Sequence, residues 1–168
     1  GVNHQDRPAF DILSDILGYG RTARLYKSLV KEKKLAANIW ASGGFPGRKY
    51  PSLFIFSVNP SQGHSNLECE EVISAEIERL KTEPVTLREL EKARTRARAG
   101  VIHSLSSNMG MAFQLTFFEV LTGDWRNLFA RLERYNRVTA EDIQRIVRDY
   151  FTIENRTLGV IETEETDS

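Results

Sequence analysis

The stretch of sequence that decides the fold is residues 15–38, DILGYGRTARLYKSLVKEKKLAAN. Apolar residues before Gly18 and after Thr22 recur at the three- and four-residue spacing of a helix. From Leu35 the repeat shortens to two residues, which is typical of a strand. The stretch therefore predicts the end of one helix, a glycine turn, a second helix and the beginning of a strand.

The first helix is predicted to begin near Asp6, a helix-capping residue, with Pro8 in its first turn. Gly18 and Gly20 are predicted to end it, because glycine adopts the left-handed conformation of a helix C-terminus without a Cβ clash. Thr22 is predicted to cap the second helix. The predicted core face of the first helix comprises Ala9, Ile12, Leu13, Ile16 and Leu17.

The downstream residues predict a hairpin followed by helices. A turn-rich segment joins the strand that begins at Leu35 to an apolar strand at residues 53–58, and it is short enough for an antiparallel hairpin. The two-residue repeat assigns one face of the first strand to Leu35, Ala37, Ile39 and Ala41. The remaining elements are predicted in chain order: helices after Ser65, after Thr86, over 108–121, after Asp124 and after Thr139, a strand over 157–161 and an acidic tail over 162–168.

These elements predict an α+β fold, a two-layer domain whose mostly antiparallel sheet is covered on one side by helices. Residues 1–168 are predicted to form a single domain, since no stretch between the elements has the composition of a linker. A hairpin plus one distant strand is a small sheet. A further strand is therefore expected before Gly1, in a longer protein of which this chain is a piece.

The composition excludes several classes of function. The 168 residues include 23 basic and 23 acidic ones, so no overall field favours a nucleic acid or a membrane surface. No apolar run reaches the roughly 20 residues of a membrane span. The single cysteine, Cys69, excludes an internal disulfide and leaves the redox compartment undecided.

Residue types that could carry chemistry do not combine into a site. Gly18 and Gly20 have the spacing that opens a phosphate-binding loop, but such a loop must leave a strand, and here helices flank the glycines on both sides. None of the three histidines has a second His or Cys at ligand spacing, so no metal site is predicted. Cys69 is predicted to be a small buried hydrophobic residue rather than a nucleophile.

One predicted helix is rich in basic residues. Arg88, Lys92 and Arg96 share a helix face, with Arg94 and Arg98 beside it. Such a stripe can bind phosphate groups. Two interleaved glutamates and the zero net charge favour a solvated or interface face instead, so polyanion binding is kept as an alternative.

The order of these motifs resembles the second structural unit of the M16 family, the pitrilysin-, insulinase- and mitochondrial-processing-peptidase-like zinc metallopeptidases. The resemblance depends on order and spacing over nearly the whole chain rather than on any single motif. The similar segments are residues 15–38, 84–93, 121–124, 138–151 and 154–157.

The resemblance implies a division of labour between units. In the family, a first unit carries an inverted zinc motif, His-x-x-Glu-His, which is absent here. Another region supplies an Arg and a Tyr, seven positions apart, that stabilise the bound peptide or the oxyanion. The matching phrase falls on residues 29–37, where Val30 stands in place of the Arg and Ala37 in place of the Tyr. Neither side chain can donate a hydrogen bond, so no catalytic or metal-binding residue is predicted in this chain.

The predicted function is a structural, non-catalytic unit that helps to wall the peptide-binding chamber of an M16-type zinc endopeptidase. By resemblance, the expected partners are the N-terminal zinc-bearing domain of the same polypeptide, an Arg/Tyr-bearing subunit or a second copy, and a peptide substrate. Zinc is expected in the parent protein and no cofactor in this fragment. The alternatives are a degenerate scaffold or core subunit of the same family and an independent polyanion-binding module through residues 88–98.

Overall fold

The structure, a computed structural model, describes residues 1–161, and the predicted acidic tail at 162–168 lies outside them. The sheet is a single antiparallel hairpin, and helices supply the second layer, which confirms the predicted α+β class. The elements in chain order are α1 (Arg7–Gly18), a π-helix (Tyr26–Glu32), β1 (Ala36–Phe45), β2 (Leu53–Pro60), α2 (Asn66–Thr82), α3 (Leu87–Ser104), α4 (Asn108–Thr122), α5 (Asn127–Arg137), α6 (Ala140–Tyr150) and a 3₁₀ turn (Ile153–Asn155).

Helix α1 is the central helix, packing on β1, α3, α5 and α6. Its predicted core face is confirmed, because all five predicted residues are buried. The predicted capping role of Asp6 is wrong, since its side chain makes no cap hydrogen bond. Instead, Asp6 Oδ1 accepts from Arg145 at 2.5 Å and Oδ2 accepts from the Tyr150 hydroxyl at 3.0 Å. The carboxylate therefore joins the N-terminus of α1 to α6.

Gly18 is required for a close approach rather than for the left-handed conformation predicted from sequence. The residue at the C-terminus of α1 is Tyr19, in an extended conformation, and Gly20 carries the positive φ of 76°. A Cβ on Gly18 would lie only 2.2 Å from the Ala41 backbone nitrogen. The absence of a side chain at Gly18 thus lets the end of α1 touch β1.

The second helix is a π-helix, and the predicted cap at Thr22 is wrong. The N-cap position is Leu25, without a side-chain cap hydrogen bond. The hydroxyl of Thr22 instead accepts hydrogen bonds from Lys92 and Arg96 of α3. Leu29 at the centre of the π-helix is fully buried, as its helical spacing predicted.

A β-bulge shifts the alternation of β1. Ile39 pairs with Val58 and Ala41 with Phe56, but the register slips between Ala36 and Asn38. Ala36 is consequently buried and Ala37 exposed, so the prediction that Ala37 shares a face with Ile39 and Ala41 is wrong. The two-residue repeat holds only from Ile39 to Gly43, because one extra residue is inserted before Ile39 and another between Gly43 and Phe45.

Most of the predicted helix ends are confirmed. The capping boxes at Ser65 and Thr86 open α2 and α3, Thr139 caps α6, and Gly123 ends α4 with a φ of 76°. The helix predicted to follow Asp124 begins only at Asn127. The Asp124 carboxylate accepts from the Arg126 backbone nitrogen at 2.9 Å.

The predicted strand at residues 157–161 is wrong. This segment has no regular structure, and its apolar side chains are largely exposed, with Ile161 94% accessible. A strand needs a neighbouring edge for its backbone hydrogen bonds, and over residues 1–161 β1 and β2 pair only with each other. Over that same range, no helix combines the length and the apolar character needed to cross a membrane.

Candidate functional site

A cleft of about 930 Å³ opens between α1, β1 and helices α3 to α5. Aromatic side chains of α4, including Phe113 and Phe117, line one part of it, and charged side chains line another. The charged part gathers Asp11 of α1, Arg48 of the β1–β2 loop and Arg131 of α5. The fold therefore brings together groups that are far apart in the sequence.

Asp11 lies at the centre of a group of residues that we call the Asp11 cluster: Arg7, Asp11, Arg48, Arg131 and Tyr135, all of which except Arg7 line the cleft. Its Oδ1 accepts from Arg7 Nη2 at 2.5 Å. Its Oδ2 accepts from Arg131 Nη2 at 3.0 Å and from the Tyr135 hydroxyl at 2.9 Å. Arg48 Nη2 approaches Oδ1 to 3.7 Å, which is beyond hydrogen-bonding distance. Three guanidinium groups thus surround one carboxylate.

The cluster is built from two pairs of residues, each one helical turn apart. Arg7 and Asp11 are neighbours on α1, as Arg131 and Tyr135 are on α5, where Arg131 Nε donates to the Tyr135 hydroxyl at 2.5 Å. Residues four apart lie on the same helix face. Because α1 packs against α5, the two pairs meet and interlock.

The Arg7 guanidinium also binds β1. Its Nη2 also donates to the Gly43 carbonyl oxygen at 2.8 Å. At Gly44, where φ is 97°, a Cβ would lie 2.6 Å from Arg7 Nη1, so only glycine leaves room for the guanidinium. The Arg7 Nε atom is buried without a hydrogen-bond partner.

The electrostatics of the cluster do not favour proton transfer by Asp11 or Tyr135. Burial by itself raises the pKa of Asp11, but the positive charges of Arg7, Arg131 and Arg48 outweigh it and hold that pKa below its usual value. Burial and the Asp11 carboxylate raise the pKa of Tyr135. The carboxylate therefore stays ionised and the phenol stays protonated near neutral pH, and neither is poised as a general acid or base.

A second ion pair lies at the edge of the cleft. Arg96 Nη1 donates to Asp15 Oδ1 at 3.1 Å and to the Tyr19 carbonyl oxygen at 3.2 Å. Burial raises the pKa of Asp15, although Arg96 opposes that effect. The pair connects α3 to the end of α1.

The basic helix predicted as an alternative polyanion site is α3, and its cations are largely engaged within the protein. Lys92 donates to Thr22, Arg94 Nε donates to the Val138 carbonyl oxygen at 3.0 Å, and Arg96 binds Asp15. Arg88 and Arg98 have no such partner among residues 1–161, and both are exposed. Cations committed to internal partners are not available to phosphates, so the geometry does not favour a polyanion stripe.

The structure separates Val30 and Ala37 into different environments. Val30 lies on the π-helix and packs partly buried against the core, whereas Ala37 is exposed on β1. Both are aliphatic, so neither adds a hydrogen-bond donor at these places.

Cys69 is a fully buried residue of the core, as predicted, and its Sγ lies 3.6 Å from the Leu35 carbonyl oxygen. Burial raises the pKa of its thiol, which disfavours the reactive thiolate. Among residues 1–161 there is no group of three or more His, Cys, Asp or Glu side chains arranged to hold a metal ion.

The sequence alone does not reveal the Asp11 cluster. The four-residue spacings of Arg7 with Asp11 and of Arg131 with Tyr135 are visible in it, but such spacings are common on helix surfaces. Their convergence depends on the packing of α1 against α5, which brings together residues 120 positions apart.

Comparison with protein families supplies the identity of the fold. Residues 1–97, more than half of the chain, match the family described as the peptidase M16 inactive domain. The chain belongs to this family. The M16 resemblance and the non-catalytic character predicted from the sequence are thereby confirmed.

Relatives of this M16 inactive domain include proteins named as zinc proteases. The zinc protease PqqE of Helicobacter pylori is 28% identical over 148 residues, 88% of this chain and 33% of that protein. The uncharacterized zinc protease YmxG of Bacillus subtilis is 23% identical over 95% of this chain and 38% of its own length. The chain thus spans about a third of the length of these curated relatives.

A solved structure shows the same fold in a comparable unit. The crystal structure of an inactive peptidase domain from Bordetella parapertussis superimposes with a TM-score of 0.85 and 26% identity. The match covers 98% of this chain and 88% of that one.

Proposed function

We propose that this M16 inactive domain is the non-catalytic unit of a zinc endopeptidase, in which it packs against a zinc-bearing unit and forms part of the wall of a peptide chamber. The relatives named as zinc proteases support this assignment, since each is much longer than this chain. Residues 1–168 would act as one domain of that protein. Zinc, bound by the other unit, would supply the activated water for peptide hydrolysis.

The observation that carries the packing proposal is an exposed apolar stripe on α4. Met109, Phe113 and Val120 are 80%, 64% and 70% exposed. They are four and seven positions apart along the helix and so share one face. Within residues 1–161, Phe118 is the one buried residue of α4. An apolar stripe of this kind is typical of a surface that another protein unit covers, and the zinc-bearing unit is the partner proposed here.

Val30 and Ala37 support the assignment of roles between units. We propose that they occupy the positions of the family's Arg and Tyr, so that this chain cannot supply the oxyanion donors. Those donors would come from an Arg/Tyr-bearing subunit or from a second copy of the complete polypeptide. The peptide substrate would then contact the catalytic groups of other units and the wall formed by this one.

The proposal is tested by measuring zinc content and peptide hydrolysis for the 168-residue chain and for the complete polypeptide. We expect zinc and activity in the complete polypeptide, with its partner subunit, and neither in the chain alone. Stoichiometric zinc or hydrolysis in the chain alone would contradict the assignment. A complete polypeptide that lacks His-x-x-Glu-His and binds no zinc would favour the degenerate scaffold subunit instead.

A further inference from the structure

We propose that the cleft is a binding site for a peptide carboxylate, with Arg48 as its principal ligand and Arg131 beside it. The inference does not rest on the proposed function, since the chain alone contains every residue involved. The positions matched to the family's Arg and Tyr are Val30 and Ala37, not these two arginines.

The Asp11 cluster contains more positive than negative charge. Arg7, Arg48 and Arg131 surround one carboxylate, and Asp15, the other acidic residue of the cleft, is paired with Arg96. The cleft therefore has a surplus of positive charge in a partly enclosed place, where charges interact more strongly than at an open surface. A bound anion would offset this surplus.

The Arg48 guanidinium lacks a hydrogen-bonded counter-ion in the part of the chain that the structure describes. Arg7 and Arg131 each make short hydrogen bonds to Asp11, but Arg48 comes no closer to it than 3.7 Å. Within residues 1–161 the Arg48 guanidinium makes no other ion pair, and about two thirds of the side chain is buried. Burial, together with the neighbouring arginines, lowers its pKa in spite of the Asp11 carboxylate. Its donors are available to a ligand in the cleft.

The groups that line the cleft indicate the chemical class of the anion. A guanidinium and a carboxylate form two parallel hydrogen bonds, so Arg48 suits a carboxylate geometrically. The same cleft is lined by Phe117 of α4, which is half-buried. An aromatic ring and a cation in one cleft favour a ligand that joins a negative group to an apolar one. A peptide that ends in an aromatic residue, or that carries an acidic side chain next to one, has both groups.

The test uses two matched pairs of probes and the 168-residue chain. N-acetyl-phenylalanine and its amide differ only in the C-terminal carboxylate, whereas N-acetyl-Glu-Phe-amide and N-acetyl-Gln-Phe-amide differ only in a side-chain carboxylate. Binding is followed by NMR chemical-shift changes during titration. We expect the carboxylate member of at least one pair to bind about tenfold more tightly than its neutral partner. The pair that responds identifies which carboxylate is recognised.

Two variants place the site. Arg48→Met removes the charge and keeps an apolar stem, and it should weaken the preferred carboxylate about tenfold or more. Arg137→Met is the control, since Arg137 is 80% exposed and pairs only with Glu133 within the described part of the chain; it should leave binding unchanged. Thermal unfolding verifies that both variants are folded.

The outcomes that would overturn the proposal are distinct. Equal binding of the neutral probes, or no binding of any probe, would exclude carboxylate recognition. Unchanged binding by folded Arg48→Met would exclude this site. Inorganic phosphate binding more tightly than the carboxylates would show that the surplus charge selects a different class of anion.

Discussion

Arg24 and Glu89 form a bidentate ion pair, with Arg24 Nε 2.7 Å from Oε1 and Nη2 2.8 Å from Oε2 of the carboxylate. Arg24 Nη1 also donates to Glu76 Oε1 of α2 at 2.9 Å. Glu89 additionally accepts from the backbone nitrogen of Thr86, which completes the capping box at the N-terminus of α3. One guanidinium thus connects the segment before the π-helix to α2 and to the N-terminus of α3.

The Arg24–Glu89 pair predicts a pH-dependent contribution to stability. Hydrogen bonds from Arg24, followed by those from Thr86, lower the pKa of Glu89 to about 2 in spite of burial. A carboxyl group with a depressed folded-state pKa stabilises the fold above its unfolded pKa, and this contribution is lost as the pH falls toward the folded-state value. Wild type should therefore exceed Glu89→Gln in unfolding free energy by about 1–2 kcal/mol at pH 7, after allowance for solvent screening.

Denaturant unfolding at pH 7, 4 and 2 provides the measurement for Glu89→Gln. The difference between the two proteins should shrink between pH 4.5 and 2, the interval between the ordinary and the lowered pKa of this group. A difference that persists unchanged at pH 2 would show that the ionised Glu89 is not the source of the stabilisation.

The Asp11 cluster predicts a strong effect of removing its only carboxylate. In Asp11→Asn, Arg7 and Arg131 remain in place without their counter-ion, and the unfolding free energy should fall by about 3 kcal/mol. Glu133→Gln is the matched control, because Glu133 is 75% exposed and its pair with Arg137 is solvated, so no measurable change is expected. If both variants unfold at the wild-type denaturant concentration, the cluster does not stabilise the fold.

The contact between Gly18 and Ala41 predicts that a single methyl group disrupts the packing of α1 on β1. Gly18→Ala places a Cβ 2.2 Å from the Ala41 backbone nitrogen and should cost about 1–3 kcal/mol through overpacking. A Cβ at Gly100 on α3 would meet no atom within 4 Å, so Gly100→Ala should be neutral or stabilising by up to about 1 kcal/mol, as expected for glycine in an exposed helix. Equal thermal stabilities of the two variants would contradict the close approach.

The α4 stripe predicts an effect that depends on the presence of the partner unit. Val120→Lys should leave the stability of the 168-residue chain unchanged, since Val120 is 70% exposed. In the complete polypeptide it should lower peptide hydrolysis, because it places a charge in the proposed interface. Leu87→Lys, at a 79% exposed position on α3, is the control and should leave hydrolysis unchanged. Equal activity of the two variants would exclude α4 from the interface.

The sequence predicted most of the fold because its signals are local. The capping boxes at Ser65 and Thr86, the glycine that ends α4 and the buried face of α1 depend on residues a few positions apart. The terminal strand failed because strand formation depends on a partner edge, which a local repeat does not reveal. The predicted capping roles of Asp6 and Thr22 were wrong because residues distant in the sequence bind their side chains. Arg145 and the Tyr150 hydroxyl bind Asp6, and Lys92 binds Thr22.

The candidate site could be predicted far less well than the fold. Neither the β-bulge at Ala36 nor the π-helix leaves a distinctive residue pattern. The bulge made the predicted strand face of Ala37 wrong. The Asp11 cluster depends on how α1, α5 and the β1–β2 loop pack together, and each of its ion pairs between elements joins residues distant in the sequence.

The most direct test of the central claim is reconstitution. The proposed zinc-bearing unit and the 168-residue chain are expressed separately, and peptide hydrolysis is measured for each one and for their mixture, with the partner subunit and zinc present throughout. If this domain is a non-catalytic unit that packs against the zinc-bearing unit, neither unit alone is active, and mixing them restores hydrolysis. Full activity of the zinc-bearing unit alone, or hydrolysis by the 168-residue chain in its absence, would contradict the claim.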